Sequence, residues 1–325
     1  MSQECVREMG TEVPTPPSEK RPQIYSVNIT ASKYGPLVAP REGRLRVESN
    51  GRSLSVDDIA RGYEKLFEIR YTHGSITFMG VSLQQDPSDA FAISDLLWRV
   101  RPSLLIELGT SGGGGALFYA RIMRGYDPDA QVLTIDPASA SHKAFSKPLV
   151  DWNHEGMRRF CPHCKAAKDE LLWKNAVKFH RDYPTSEASL ALARKMAREA
   201  KGPVLVMEDS SHAYKHVREN MRAFADFVTP GSYLIVQDTR YGNMEGPSVA
   251  VGEFLIADKR FVQDRRPEYL LITQHSGGYL RRLEEGEEIV AADPLRCSKE
   301  SMDGARMCTL PMTSSTGSGK NANNK

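Results

Sequence analysis

The sequence predicts an α/β fold: a mostly parallel, twisted sheet with helices on both faces and flexible termini. Three observations carry this. Short apolar runs alternate with helical patterns through the middle of the chain, and that alternation specifies a parallel sheet covered on both sides. One of the runs, "SLLIELG", ends in the glycine cluster "GTSGGGG", and the cluster opens a helical pattern. Four runs end in an acid: Glu107 in "IELG", Asp136 in "TIDP", Asp209 in "MEDS" and Asp238 in "VQDT".

Taken in chain order, residues 1–50 are rich in Pro, Ser and charge, and read as a largely flexible leader with one short strand near "QIYSVNI". The folded domain is expected over 51–291. Ser55 can cap a helix through "VDDIARGYEKLFEI". Asp86, followed by Pro87, opens a second helix, "SDAFAISDLLWRV", whose apolar residues are Phe91, Ile93, Leu96, Leu97 and Val100. "SLLIELG" is a buried strand, and "ALFYARIMRGY" is the helix after the glycine turn. "QVLTID", "VKFH", "PVLVMED" and "SYLIVQD" are the next strands, separated in part by the helices "EASLALARKMAREA" and "AYKHVRENMRAFADFV". Gly246-Pro247 begins a further helix. Residues 292–325 end in "TSSTGSGKNANNK" and are expected to be a disordered tail.

The bulk numbers narrow the function classes. The chain has 325 residues, 40% of them hydrophobic, and a formal net charge of +2. That charge, with no basic stripe interleaved with aromatics, argues against a nucleic-acid partner. No apolar run reaches the about 18 residues that a membrane span needs, and the first residues lack the apolar core of a signal peptide. Five scattered cysteines do not make a disulfide framework. A cytoplasmic enzyme acting on a small molecule is the expectation, with no membrane partner and with a homo-oligomer left open.

Ligands of such sheets sit at the carboxyl ends of the strands, where the four acids are. Acids are disfavoured in strands and costly when buried, so four at one sheet edge suggest a polar site. The glycine turn is not a dinucleotide fingerprint: counting from Gly112, the sixth position is Leu117, and counting from Gly109, the third is Ser111. It is not a triphosphate loop either, because Gly114 is followed by Gly115 and not by lysine. A turn this bare lets backbone approach a flat or charged ligand. Asp136, about one βα unit later, can accept both hydroxyls of a ribose. Without a pyrophosphate motif, the pair points to S-adenosylmethionine rather than to NAD.

The series "FMGVSLQQDPSDAFAISDLLWRVRPSLLIELGTSGGGGALFYA", "VLTIDP", "VLVMEDSSHAYKHVRENMRAFADFVTPGSYLIVQDT", "GPSVAVGEFL" and "GGYLRR" resembles the cephalosporin hydroxylase / rhamnosyl O-methyltransferase family of class I S-adenosylmethionine-dependent methyltransferases. The resemblance covers roughly Phe78 to Arg282. It implies a Rossmann-like methyltransferase fold and a divalent metal, usually Mg²⁺. Carried over by position, it implies that Glu107, Gly109, Thr110, Ser111, Gly112 and Gly113 line the methionine part of the cofactor and that Asp136 binds the ribose. Asp209 and Asp238 would hold the metal. Gln237 stands where family members commonly have an acid; its amide oxygen is a third ligand that a hard cation accepts.

Methyl transfer needs a nucleophile lined up with the methyl carbon. A metal polarises the acceptor hydroxyl and fixes it, and His212, three residues after Asp209, is the candidate base for its proton. The alternative for His212 is support of Asp209 from behind; His216 is expected on a helix surface. Cys161 and Cys164, in "FCPHCK", are half of a zinc site or two thiols without a metal, with a redox C-x-x-C disfavoured because a thioredoxin-like context is missing. Trp152 is a candidate lid residue, and Tyr241 and Asn243 candidate substrate contacts. The expected activity is a metal-dependent O-methyltransfer to a hydroxyl of a small molecule or sugar. The competing readings are a component of a hydroxylation/methoxylation system and a non-catalytic cofactor-binding protein, which Gln237 keeps open.

Overall fold

The computed structural model describes residues 24–25, 46–49, 52–69, 72–137, 161, 163–239, 246–270, 272–287, 296–297 and 308–309. The central sheet has seven strands: β1 (Leu104–Leu108), β2 (Gln131–Ile135), β3 (Val177–His180), β4 (Val204–Glu208), β5 (Tyr233–Val236), β6 (Phe261–Gln263) and β7 (Tyr279–Arg282). Their spatial order is β6-β7-β5-β4-β1-β2-β3. β1 to β5 pair in parallel, and β7 runs antiparallel to both β5 and β6. The five parallel strands are the five strands expected from the sequence. The antiparallel pair was not expected: its strands are three and four residues long, and the second ends in two arginines.

Seven helices matter here: α1 (Val56–Ile69), α2 (Pro87–Val100), α3 (Gly114–Met123), α4 (Leu171–Ala176), α5 (Glu187–Glu199), α6 (Tyr214–Phe224) and α7 (Gly246–Ala257). Alternation along each strand divides the core into two. Leu105, Met207 and Ile235 face α2, α3 and α4, packing with Ile93, Leu97, Leu117, Met123 and Trp173. Leu104, Ile106, Leu108, Val206 and Val236 face the other way, against Ala193 of α5, Met221 and Phe224 of α6, and Phe254 of α7. Strands covered on both faces read as continuous apolar runs, which is why they were visible in the sequence.

Two helix readings change in detail. Asp86 stands before α2 but its side chain makes no capping hydrogen bond; it is buried and takes a hydrogen bond from Gln274 Nε2 at 3.3 Å. Phe91, although part of the apolar pattern of α2, is 64% exposed. The strand expected in the leader is present as Ile24–Tyr25, paired with Arg46–Val47. The other expectations for the leader and tail fall largely outside the described residues.

Candidate functional site

β1 delivers the glycine turn to the carboxyl edge of the sheet. Gly109 has φ 100° and Gly113 φ 83°, and Ser111 between them is left-handed at φ 44°. The Thr110 and Ser111 N–H groups donate to Asp136 Oδ2 at 2.9 and 3.2 Å. Thr134 Oγ1 donates to Glu107 Oε2 at 2.5 Å and is 2.6 Å from Thr110 Oγ1. Both acids expected beside the cofactor therefore also shape the turn.

The glycines are bare for a reason the sequence does not show. A Cβ on Gly109 would lie 1.9 Å from the Asp209 carbonyl oxygen; on Gly114, 2.0 Å from the Ser82 carbonyl oxygen; on Gly115, 2.7 Å from Glu107 Oε1. On Gly113 it would meet Ala167 and Trp173 at 2.7 and 2.8 Å. The protein's own chain presses on these four positions, so the bareness read as room for a ligand is first of all room for neighbouring backbone and side chains.

β4 and β5 are adjacent and parallel, so their ends bring Asp209 and Asp238 to one place. Asp209, His212 and Asp238 each offer a ligand atom within 4.8 Å of the others. His212 Nε2 lies 3.2 Å from Asp238 Oδ2. His212 and Asp238 are both left-handed, at φ 55° and 53°, a conformation uncommon outside glycine. α7 begins against this loop: a Cβ on Gly246 would be 2.4 Å from the His212 carbonyl oxygen. Burial raises the Asp209 carboxyl well above the usual range, and Asp238, Glu107, Glu208 and Asp136 raise it further. Those four charged neighbours are all acids, so the donor set suits a hard cation, which takes carboxylate oxygens and would offset their repulsion.

Gln237 is placed differently from Asp238. It is 3% exposed, with its amide 3.1 Å from Tyr119 Oη and 3.2 Å from the Gln85 amide. Beside the two aspartates, His212 offers a third ligand atom, while the Gln237 amide is engaged with Tyr119 and Gln85. Behind Gln237, the Gln85 amide lies 2.7 Å from His275 Nε2, and the Asp238 N–H donates to His275 Nδ1 at 3.1 Å. Asp89 accepts from the Gln274 N–H at 2.8 Å. Desolvation pushes the buried His275 down to about 4. Gln85, His275 and Glu208 were not singled out from the sequence. Glu208 sits inside an apolar run, and the other two are 190 residues apart in stretches without periodicity.

A model of the Rhamnosyl O-methyltransferase/CmcI family matches residues 70–150 and 175–283, more than half of the chain. The chain belongs to this family. The rhamnosyl O-methyltransferase of Mycobacterium tuberculosis H37Rv is 28% identical over 196 residues, 60% of this chain and 69% of that protein. The Mycobacterium leprae protein of the same name is 28% identical over 193 residues, 59% and 72% of the two chains. A solved CmcI structure with Mg and SAM shares 21% identity at TM-score 0.47, covering 64% of this chain and 77% of its own. Both halves of the candidate site lie in the matched stretches. The seven-strand order with its antiparallel β7 gives the family's expected Rossmann-like sheet.

The segment between the matched stretches holds Cys161 and Cys164, which are joined as a disulfide with Cα atoms 5.3 Å apart. This corrects the zinc and free-thiol readings of the pair, because neither zinc-binding thiolates nor free thiols remain; it does not contradict the redox reading. Trp152, Tyr241 and Asn243 lie outside the described residues. His216 is exposed, as expected, with Nδ1 2.7 Å from Ser211 Oγ.

Burial raises Glu107 and Glu208 to about 8, and Asp86 to about 7. Unfolded carboxyls titrate near about 4, so between these limits the folded chain binds more protons than the unfolded one. Such groups stabilise fully below the unfolded pKa, and that stability is lost as pH rises through the folded pKa. The unfolding free energy of the metal-free protein, from urea titrations, should therefore fall from pH 5 to pH 8, with a limiting slope of about 1.4 kcal/mol per pH unit for each such group. A flat or rising profile would contradict the assignment.

Proposed function

We propose that this chain transfers a methyl group from S-adenosylmethionine to a hydroxyl of a small molecule or sugar, a deoxysugar such as rhamnose being the favoured acceptor. The observation that carries this is the contact between the two halves of the site. Gly109 of the glycine turn lies so close to the Asp209 carbonyl that no side chain fits between them. A donor bound on the turn is thereby delivered next to Asp209, His212 and Asp238. The names of the relatives, rhamnosyl O-methyltransferases, support a sugar hydroxyl.

In this reading Glu107 and the turn Gly109, Thr110, Ser111, Gly112 and Gly113 receive the methionine portion, and Asp136, anchored to the turn, faces the ribose. Asp209 and Asp238 hold a divalent cation, Mg²⁺ in the first instance, with Gln237 supporting them from behind. The ion, when bound, lowers the pKa of an oxygen it contacts and fixes its position. His212, directed at Asp238 through Nε2, is placed to take the acceptor's proton. The glycine turn orients the donor so that the oxygen and the methyl carbon are in line.

Calorimetry with S-adenosylmethionine, with and without MgCl₂, tests the cofactor reading, followed by S-adenosylhomocysteine release on rhamnosides and other sugars. Absence of cofactor binding would sink it; cofactor binding with no metal response and no turnover would favour a non-catalytic protein, and turnover indifferent to Mg²⁺ would remove the metal alone. His212→Ala is expected to lower kcat by about 10²- to 10⁴-fold while cofactor affinity changes little. Near-normal turnover of that variant across pH 6 to 9 would remove His212 as the base.

A further inference from the structure

His275 is 1% exposed and belongs to a loop before β7, far in sequence from the acids it meets. Its Nδ1 lies 3.1 Å from the Asp238 backbone nitrogen. A backbone N–H can only donate, so Nδ1 accepts and carries no hydrogen. An imidazolium is excluded by the same contact, since both of its nitrogens donate. The ring is therefore neutral, with its hydrogen on Nε2.

That hydrogen needs an acceptor, and the Gln85 amide is 2.7 Å away. Gln85 must present its oxygen there, because an NH₂ against Nε2–H would pair two donors. With Gln85 turned this way and Gln237 turned with it, the remaining contacts close. The Gln237 NH₂ donates to Gln85 Oε1 across 3.2 Å, Tyr119 O–H donates to Gln237 Oε1 across 3.1 Å, and the Gln85 NH₂ donates to Tyr119 Oη across 3.3 Å. Asp89 Oδ2, 3.8 Å from Nε2, adds negative charge on the side where the hydrogen sits. The four side chains satisfy one another in a single arrangement, and in a buried site that selects one tautomer.

We propose that His275 is the positioning residue of the acidic group: locked as its Nε2–H tautomer by Gln85, it holds the Asp238 N–H and so aims the Asp238 carboxylate at His212 and Asp209. The left-handed backbone of Asp238 is the conformation this hydrogen bond secures. Gln237, one residue earlier and engaged with Tyr119 and Gln85, anchors the other side of the same peptide. The consequence for a cation rests on the reading of Asp209 and Asp238 given above; the tautomer and the held N–H do not.

The two amide replacements of histidine separate this role from mere filling of space. Asparagine places an oxygen where Nδ1 was, and glutamine reaches toward the place of Nε2. In His275→Asn the Asp238 amide should stay protected from hydrogen exchange; in His275→Gln and His275→Ala it should exchange at least about tenfold faster. Mg²⁺ affinity by calorimetry should fall about 10- to 100-fold in His275→Gln and His275→Ala, stay within about threefold in His275→Asn, and leave S-adenosylmethionine affinity unchanged. Nitrogen-15 spectra of the wild-type ring should show Nε2 protonated and Nδ1 bare at pH 7. The opposite tautomer, or identical exchange and affinity in the asparagine and glutamine variants, would overturn the proposal. A wild-type protein that binds no Mg²⁺ would overturn the cation reading alone, and the spectra and exchange pattern would still decide the role of His275.

Discussion

Replacing Gly109 by alanine is expected to cost this protein a large part of its stability and its activity. Two penalties coincide. The backbone sits at φ 100°, and the added Cβ would lie 1.9 Å from the Asp209 carbonyl oxygen and 2.6 Å from its carbon. Neither backbone is free to withdraw: Gly109 N–H donates to the Ile135 carbonyl at 2.8 Å, and Asp209 N–H to the Leu108 carbonyl at 2.9 Å. Backbone strain of about 1–2 kcal/mol adds to overpacking of about 1–3 kcal/mol. The sum is a substantial share of the about 5–15 kcal/mol that folds a typical domain. Gly252→Ala is the control. No atom lies within 4 Å of its added Cβ, it is exposed, and it sits inside α7, so it should gain up to about 1 kcal/mol. Urea unfolding of both variants checks the pair; equal midpoints would refute the crowding argument.

Asp209→Asn is expected to separate stability from function. The carboxyl is held far above its ordinary pKa by burial and by four acidic neighbours, so its ionised form works against the metal-free fold. That penalty is absent at low pH and grows as pH rises toward the folded pKa. An amide of the same shape removes it. The variant should unfold at a higher urea concentration than the wild type at pH 8, and the difference should shrink at pH 5. Methyl transfer should fall by at least about 100-fold, the scale of losing one electrostatic partner at a reacting centre. Strain kept at a working site and relieved by a disabling substitution is a familiar exchange. A variant that is less stable than wild type at pH 8, or that retains turnover, would count against this role of Asp209.

How much of this was legible follows from the kind of signal each residue leaves. β1, β2, β4 and β5 are largely apolar runs, and α5 and α6 have clear helical periods, so the two-faced sheet could be read directly; β3, Val-Lys-Phe-His, is the exception at the edge. β6 and β7 carry Gln263, Arg281 and Arg282 and have three and four residues; pairing, not pattern, makes them strands. Asp209 and Asp238 were visible because each ends an apolar run, and His212 because it follows Asp209 closely. His275 and Gln85 meet only through the fold. The glycine turn was visible in the sequence and was explained there through a ligand alone; Gly109, Gly113, Gly114 and Gly115 are each also crowded by the chain itself. Composition cannot distinguish a glycine vacated for a guest from one vacated for a neighbour.

The stretch Ser82–Asp89, which precedes α2 and enters it, is tied into the site at several points. The Ser82 carbonyl backs Gly114, Ser111 Oγ donates to Gln84 Oε1, Gln85 meets His275 and Gln237, and Asp86 and Asp89 hold Gln274. A map of tolerated mutations across this gene should therefore show a second trough at Ser82–Asp89, comparable with the one around Asp209. Sequence variation in natural relatives, or a search for altered acceptors by directed evolution, would meet the same barrier there. Diversity for new specificity belongs in other segments, and these eight residues are best inherited as a block.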